Sequence, residues 1–198
     1  MKEDRVLRYF LEAGALKRTK RTGWWCSGIK DPESVAEHAF RMSLLAAYIA
    51  SEEGADPMRA SLMGLFHDIP EARVSDAHAV VKRYWKGHSA DERRARDEQN
   101  ASLPRGAFQR LAQGLGRDWD AESSPEALAA RDADYLECAI QALEYLWQQR
   151  TVAREWLLSN QRRLKTRAGK KLGMRLKRIF ESGRWEDFQI WWKDIYRR

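Results

Sequence analysis

The stretch VAEHAFRMSLLAAYI, residues 35–49, constrains this chain more than any other. Val35, Ala39, Phe40, Met42, Leu44, Leu45 and Tyr48 put apolar groups almost all round a helix, and a helix with no polar face belongs at the centre of a bundle. Its start is equally legible: Ser34 and Glu37 form an S-x-x-E capping box, each side chain accepting from the other residue's backbone N–H. Helical periodicity dominates the remaining sequence, and no segment sustains the alternation of a half-buried strand. The fold class expected is therefore all-α, and 198 residues suit one domain, 1–198, around one core.

Punctuation along the chain divides it into helices. DRVLRYFLEAGAL is an amphipathic opening, followed by the connector KRTKRTGWWCSGIKDP, which Gly23, Gly28 and Pro32 interrupt. Gly54 ends the apolar helix, Asp56 caps the next with Pro57 in its first turn, and Pro70 closes that one just after His67 and Asp68. A charged helix in SADERRARDEQNASLP and a weaker one in RGAFQRLAQGLGRDW lead to a loop at 118–125 and a long helix from Glu126 to Gln149. Residues 151–198 read as three basic, tryptophan-rich helices packed on the domain.

Charge and cysteine usage narrow the partners. The 36 Lys and Arg against 29 Asp and Glu leave a net charge of +7, which favours phosphate-bearing ligands by long-range attraction. The excess gathers in RRLKTRAGKKLGMRLKR, residues 162–178, but no nucleic-acid motif accompanies it and a solvated helix face accounts for it. Trp185, Trp191 and Trp192 fall at helical spacing, which packing or a dimer contact explains as well as stacking on single strands. Cys26 and Cys138 are far apart and suggest neither a disulfide framework nor a zinc knuckle. With no signal peptide and no apolar run of membrane-spanning length, a cytoplasmic protein without membrane attachment is expected.

The chemistry lies in the histidines. His38, in the first turn of the apolar helix, would by itself be a core residue with a local partner. His67 and Asp68 change that weighting. Imidazole and carboxylate both bind divalent transition ions, and two helices joined by a short turn run antiparallel, so the start of the first meets the end of the second. A further ligand is available from the long helix, whose AARDADYLECAIQALEYL holds Asp132 and Asp134 where a core helix would carry none.

The segments RTGWW, PESVAEHAFRM, HDIPEARVSD, RDADYLECAIQALEYL and, more weakly, LKTRAGKKL resemble the HD-domain metal-dependent phosphohydrolases, and within them the branch of 5'-deoxyribonucleotidases. The resemblance covers residues 21–172. It implies an HD-domain helical bundle with the metal site among its central helices, and a homodimer. It also implies hydrolysis of nucleoside 5'-monophosphates, preferably deoxyribonucleotides, to nucleoside and phosphate. The implied ligands of one divalent transition ion (Mn, Co, Fe, Ni or Zn) are His38, His67, Asp68 and Asp134. Asp134 is chosen because the pattern places an apolar residue and then Glu after the ligand; Asp132 is left as a capping or salt-bridge residue. Glu71 is implied in proton transfer, Asp76 in orienting water or substrate, Trp24 in packing on the sugar, and Arg21, with Lys20 as a second candidate, in binding the phosphate. Some bacterial members carry a basic residue directly before the tryptophan; this chain has Gly23. His78 and His88 receive no role.

Competing readings are weaker. Guanosine-tetraphosphate hydrolases often continue HD-x-x-E with Asp, where this chain has Ala72, and two-metal cyclic-dinucleotide phosphodiesterases need more histidines than the four present. A phosphohydrolase of some other phosphorylated metabolite, or a non-catalytic nucleic-acid-binding protein, remains the alternative against which the structure is read.

Overall fold

Ser34 and Asp56, the two capping residues legible in the sequence, begin the two helices from which the rest of the molecule is hung. A computed structural model describes residues 1–148 and 153–184. Helix α2 (Val35–Glu53) opens with Ser34 Oγ accepting from Glu37 N at 3.2 Å while Ser34 N donates to the Glu37 carboxylate at 2.6 Å. It ends where Gly54 turns left-handed at φ 72°, a conformation that costs glycine nothing. Asp56 then accepts from Met58 N and Arg59 N to start α3 (Pro57–Phe66), which returns antiparallel to α2.

Around this hairpin lie α1 (Lys2–Ala13), a tight helical turn at Thr22–Ser27, and the short α4 (Glu71–Val74) and α5 (Ala79–Tyr84). They are followed by α6 (His88–Ser102), α7 (Ala107–Ala121), α8 (Pro125–Trp147), α9 (Arg154–Gln161) and α10 (Arg167–Glu181). Among the described residues the only β pairing is an isolated bridge between Lys20 and Ser34, so the fold is all-α. No helix among them is long and apolar enough to cross a membrane. The third C-terminal helix expected from the sequence, with Trp185, Trp191 and Trp192, lies outside the described residues.

Helix α8 packs against both α2 and α3 and is the second axis of the bundle. Ala129, Ala130, Ala133, Ala139 and Ala142 are fully or almost fully buried on it, facing a core that includes Met42, Ala46, Ile49 and Met63. Small side chains on facing helices let the axes approach closely. Gly64 does the same between α2 and α3: a Cβ there would sit 3.1 Å from Ser43 Cα.

Three expectations are corrected. Helix α2 is not apolar inward all round, because Phe40, Leu44 and Tyr48, four residues apart, form one exposed stripe (66, 60 and 48 % accessible). The loop placed at 118–125 is mostly helix, since α7 continues to Ala121. Its last turn is held by Asp118 on Arg59, Asp120 on Arg96, and the Arg131 guanidinium 3.5 Å above the Trp119 ring, tertiary contacts that no local signal announces. Finally, α3 stops at Phe66, and His67 to Pro70 form a succession of turns before α4.

Asp132 closes the C-terminal part. It is fully buried on α8 and accepts from Lys165 N at 2.8 Å, Thr166 N at 2.7 Å and Thr166 Oγ1 at 2.6 Å, fastening the N-terminus of α10. Ala168, Gly169, Gly173, Leu176 and Ile179 make the buried face of α10, and its lysines and arginines point the other way. Asp132→Ala leaves two part-buried backbone donors without their acceptor and is expected to cost about 1–3 kcal/mol. Urea unfolding of the variant beside the parent checks this, with no change in the apparent metal affinity.

Candidate active site

The hairpin geometry brings His38, at the start of α2, against the turn that ends α3, and α8 lies across both. The His38 and His67 rings are 5.7 Å apart between centroids. His38 Nε2 lies 3.3 Å from Asp134 Oδ1 and 4.0 Å from Asp68 Oδ2, while His67 Nε2 lies 3.0 Å from Asp68 Oδ1. The structure therefore brings His38, His67, Asp68 and Asp134 together and sends Asp132 elsewhere.

Both imidazoles are oriented from behind. His67 Nδ1 is 2.9 Å from the Gly64 carbonyl oxygen, which can only accept, so the proton sits on Nδ1 and Nε2 faces the aspartates. His38 Nδ1 is 2.5 Å from Glu137 Oε2, and its Nε2, wholly buried, makes no hydrogen bond. A buried polar nitrogen left without a partner is costly, and here it points at two carboxylates and another imidazole. That donor set fits a transition ion: His38, His67 and Asp68, and separately His38, Asp134 and Cys138, lie close enough to share one.

Charge in the site is dense. Burial opposes ionisation of Asp68, but the neighbouring His67, Arg21 and His38 outweigh it and hold the carboxyl down at about 2. Asp134 is lowered likewise by His38, His67 and Arg21 against the effect of burial. His38 is pushed up to about 10: burial and Arg21 work against its proton, and Glu137 and Asp134 prevail. Glu71 behaves oppositely. It is 4 % exposed with Oε2 unpartnered, and burial followed by the Asp68 and Asp76 charges raises its carboxyl well above the usual range.

His67, Asp68, Glu71 and Asp134 line a cavity of about 640 Å³, and the wholly buried His38 lies beneath them. Arg21 enters from the connector, its Nη2 donating to Cys138 Sγ at 2.9 Å and its Nη1 3.5 Å from Asp68 Oδ2. Burial pushes the Cys138 thiol up, keeping it protonated. Lys20, the second phosphate candidate, is turned away onto Asp31 at 2.7 Å and does not line the cavity. Asp76 lines it, but its carboxylate also accepts from Thr22 N and Oγ1, and Thr22 Oγ1 donates to its carbonyl at 2.8 Å. The expectation that Asp76 orients water or substrate thus meets a residue already engaged in holding the loop of Arg21 and Trp24.

Trp24 lines the cavity but is only 1 % exposed, donating from Nε1 to Glu33 at 3.0 Å and packing on Tyr145 and Trp156. Trp156 of α9, half-buried, is the more accessible indole. It also explains Gly23: a Cβ there would fall 2.6 Å from the Trp156 ring, so a basic residue before Trp24 has no room. Of the unassigned histidines, His78 lines the cavity with its Nδ1 3.7 Å from Cys26 Sγ, whereas His88 is buried away from it beside Trp85 and Glu92.

Several residues of the cavity carry no local sequence signal. Lys82 on α5, Arg93 on α6, Trp156 and Asn160 one turn apart on α9, and Arg163 in the turn after it all line the cavity. Glu137 and Arg41 are the larger omission. Each lies three residues after a ligand candidate, Asp134 and His38, on facing helices, and an acid inside an alanine-rich helix was the available clue.

Histidine, then histidine with aspartate, then aspartate, delivered in that chain order to one point of a helical bundle, is the H…HD…D arrangement, and it defines an HD domain. The chain belongs to the HD domain family, which matches it over residues 13–173. The 5'-deoxynucleotidase HDDC2 of Danio rerio is 34% identical over 144 residues, 72% of this chain and 70% of that protein. The 5'-deoxynucleotidase hdd1 of Schizosaccharomyces pombe is 31% identical over 137 residues, 66% of this chain and 67% of its own. Among solved structures, the cyanophage S-2L HD phosphohydrolase DatZ, bound to dA and one catalytic Zn2+ ion, superposes with a TM-score of 0.55 at 18% identity. That match covers 87% of this chain and 96% of DatZ.

The raised pKa of His38 has a measurable consequence. In metal-free protein at neutral pH the imidazole keeps its proton, which an ion must displace to reach Nε2. Affinity for a transition ion is thus expected to rise by about tenfold per pH unit below the His38 pKa and to level off above it. Titration calorimetry in buffers of different ionisation enthalpy checks this through the proton released on binding.

Proposed function

We propose that this protein is a metal-dependent phosphomonoesterase that cleaves nucleoside 5'-monophosphates, deoxyribonucleotides by preference, into nucleoside and inorganic phosphate. The observation that carries this reading is the convergence of His67, Asp68 and Asp134 on a nucleotide-sized cavity, with His38 Nε2 3.3 Å from Asp134 and 4.0 Å from Asp68 and with a buried, unpaired Glu71 in the same lining. The names of the relatives and the deoxyadenosine and zinc on DatZ support it.

In this reading His38, His67, Asp68 and Asp134 hold one divalent transition ion, Mn, Co, Fe, Ni or Zn. When bound, that ion supplies Lewis acidity toward phosphate and acidifies water. The chain's own groups do the rest. Arg21, fixed between Asp68 and Cys138, offers its guanidinium to phosphate oxygens. Glu71, kept neutral by burial and by neighbouring carboxylates, can hold a proton at Oε2 for transfer to the leaving oxygen. Asp76 braces the Thr22 loop and so positions Arg21 and Trp24, and the indole pair Trp24 and Trp156 forms an apolar wall for the nucleoside.

The exposed stripe Phe40, Leu44 and Tyr48 supports a homodimer in which α2 of one copy meets a second copy. The free thiols Cys26 and Cys138 support a reducing, cytoplasmic setting.

Phosphate release from deoxy- and ribonucleoside 5'-monophosphates, by metal-stripped protein restored with Mn, Co or Zn, is the direct test. Asp68→Ala is expected to abolish turnover, and Glu71→Gln to lower kcat by roughly 10²–10⁴-fold with little change in KM. No metal-dependent release from any 5'-monophosphate would sink the reading. For the assembly, Leu44→Asp is expected to shift sedimentation from dimer to monomer, and a monomeric parent protein would refute the dimer.

A further inference from the structure

His38 is the most deeply enclosed of the ligand candidates, and what lies behind it reaches a surface outside the catalytic cavity. Glu137, wholly buried on α8, divides its two oxygens: Oε2 faces His38 Nδ1 at 2.5 Å, and Oε1 accepts from Arg41 Nε at 3.0 Å and Nη2 at 2.8 Å. Arg41 in turn donates to Gln141 Oε1 at 2.6 Å and Glu144 Oε1 at 2.7 Å, one and two turns further along α8. Its side chain is 28 % exposed, and it lines a separate surface depression with Phe40, Leu44 and Tyr145, outside the catalytic cavity.

We propose that Glu137 and Arg41 are positioning residues for the metal centre, a relay that sets metal affinity from the far side of α2. The reading rests on His38 being a metal ligand. Arg41 pins Oε1 through a planar fork that spans three residues of α8, so Oε2 is held where it accepts the His38 Nδ1 proton. Once an ion displaces the Nε2 proton, that bond keeps the remaining proton on Nδ1, leaves the Nε2 lone pair for the ion, and makes the imidazole a stronger donor. Without Arg41, Glu137 is a buried anion free to turn, and His38 loses both its orientation and its fixed proton. Glu33, His38 and Glu137 also lie close enough to hold a cation, but Arg41 already provides the positive charge there and Glu33 is occupied by Trp24 Nε1.

The test is Co2+ binding to metal-stripped full-length protein, followed by visible absorption and by competition with a chelator. Arg41→Ala and Glu137→Ala are each expected to weaken Co2+ binding by about 10–100-fold and to alter the absorption bands. Glu137→Gln, whose amide oxygen still accepts from Nδ1–H, is expected to restore the bands and part of the affinity. Arg41→Lys keeps the charge but cannot span Glu137, Gln141 and Glu144, so its affinity falls between parent and Ala. If either alanine variant fails to fold, these two conservative variants decide the matter.

Arg59→Ala, which breaks the comparable pair with Asp118 between α3 and α7, is expected to leave Co2+ affinity unchanged. In Zn2+-loaded, 15N-histidine-labelled protein, long-range 1H–15N spectra are expected to show His38 protonated at Nδ1, a pattern lost in Glu137→Ala. Parental affinity and spectrum in the Arg41 and Glu137 variants, or an equal loss in Arg59→Ala, would overturn the relay while leaving the metal site standing. A parent protein that binds no Co2+ would overturn the metal site and the relay together.

Discussion

A line of alternating charge buried between α2 and α8 is the constraint on which the rest of the molecule depends. It runs from Asp68 and Asp134 through His38 to Glu137 and ends at Arg41. Removing such groups from water is expensive unless each meets an opposite charge in good geometry. Here Glu137 meets both His38 and Arg41 at close range, and the two helices must therefore keep one register and one separation. The alanines of α8 permit that separation, and the small Gly64 lets α3 reach the same point. The core and the candidate site are thus one arrangement: the packing that excludes water is also what makes the charges selective.

The opposite end of the line is left incomplete. His38 Nε2 and Glu71 Oε2 are buried atoms without a hydrogen bond, and Glu71 lines the same large cavity as Asp68 and Asp134. A protein core would not retain two such atoms for stability alone. The surroundings are correspondingly stiff: His67 is fixed by the Gly64 carbonyl and flanked by Trp119, and the Arg21 loop is tied to Asp76. Rigid support for a few unsatisfied groups is what a binding site for a charged ligand requires.

His38, His67 and Asp68 were legible because local signals fixed their places: a capping box, a left-handed glycine and an Asp-Pro helix start put the two helix ends side by side. Asp134 was separable from Asp132 only through the family pattern, and the structure shows the physical difference, one facing the histidines and the other holding α10. As a pair, Glu137 and Arg41 are not legible in the sequence, because a salt bridge between residues 96 apart leaves no periodic trace. The expectation of an inward-facing Phe40, Leu44 and Tyr48 fails for a related reason. Composition tells how much of a helix is apolar, but which stripe is covered depends on what packs there.

The sequence by itself determined the class of fold, the helix ends and the ordered H…HD…D pattern, since each follows from interactions within a few residues or from spacing along one helix. Only the tertiary structure decided which acids face the histidines, why Gly23 can have no side chain beside Trp156, that Lys20 turns away while Arg21 turns in, and that Arg41 stands behind His38. Those outcomes depend on distances between segments far apart in the chain, which close packing and charge pairing set together and no local stretch encodes.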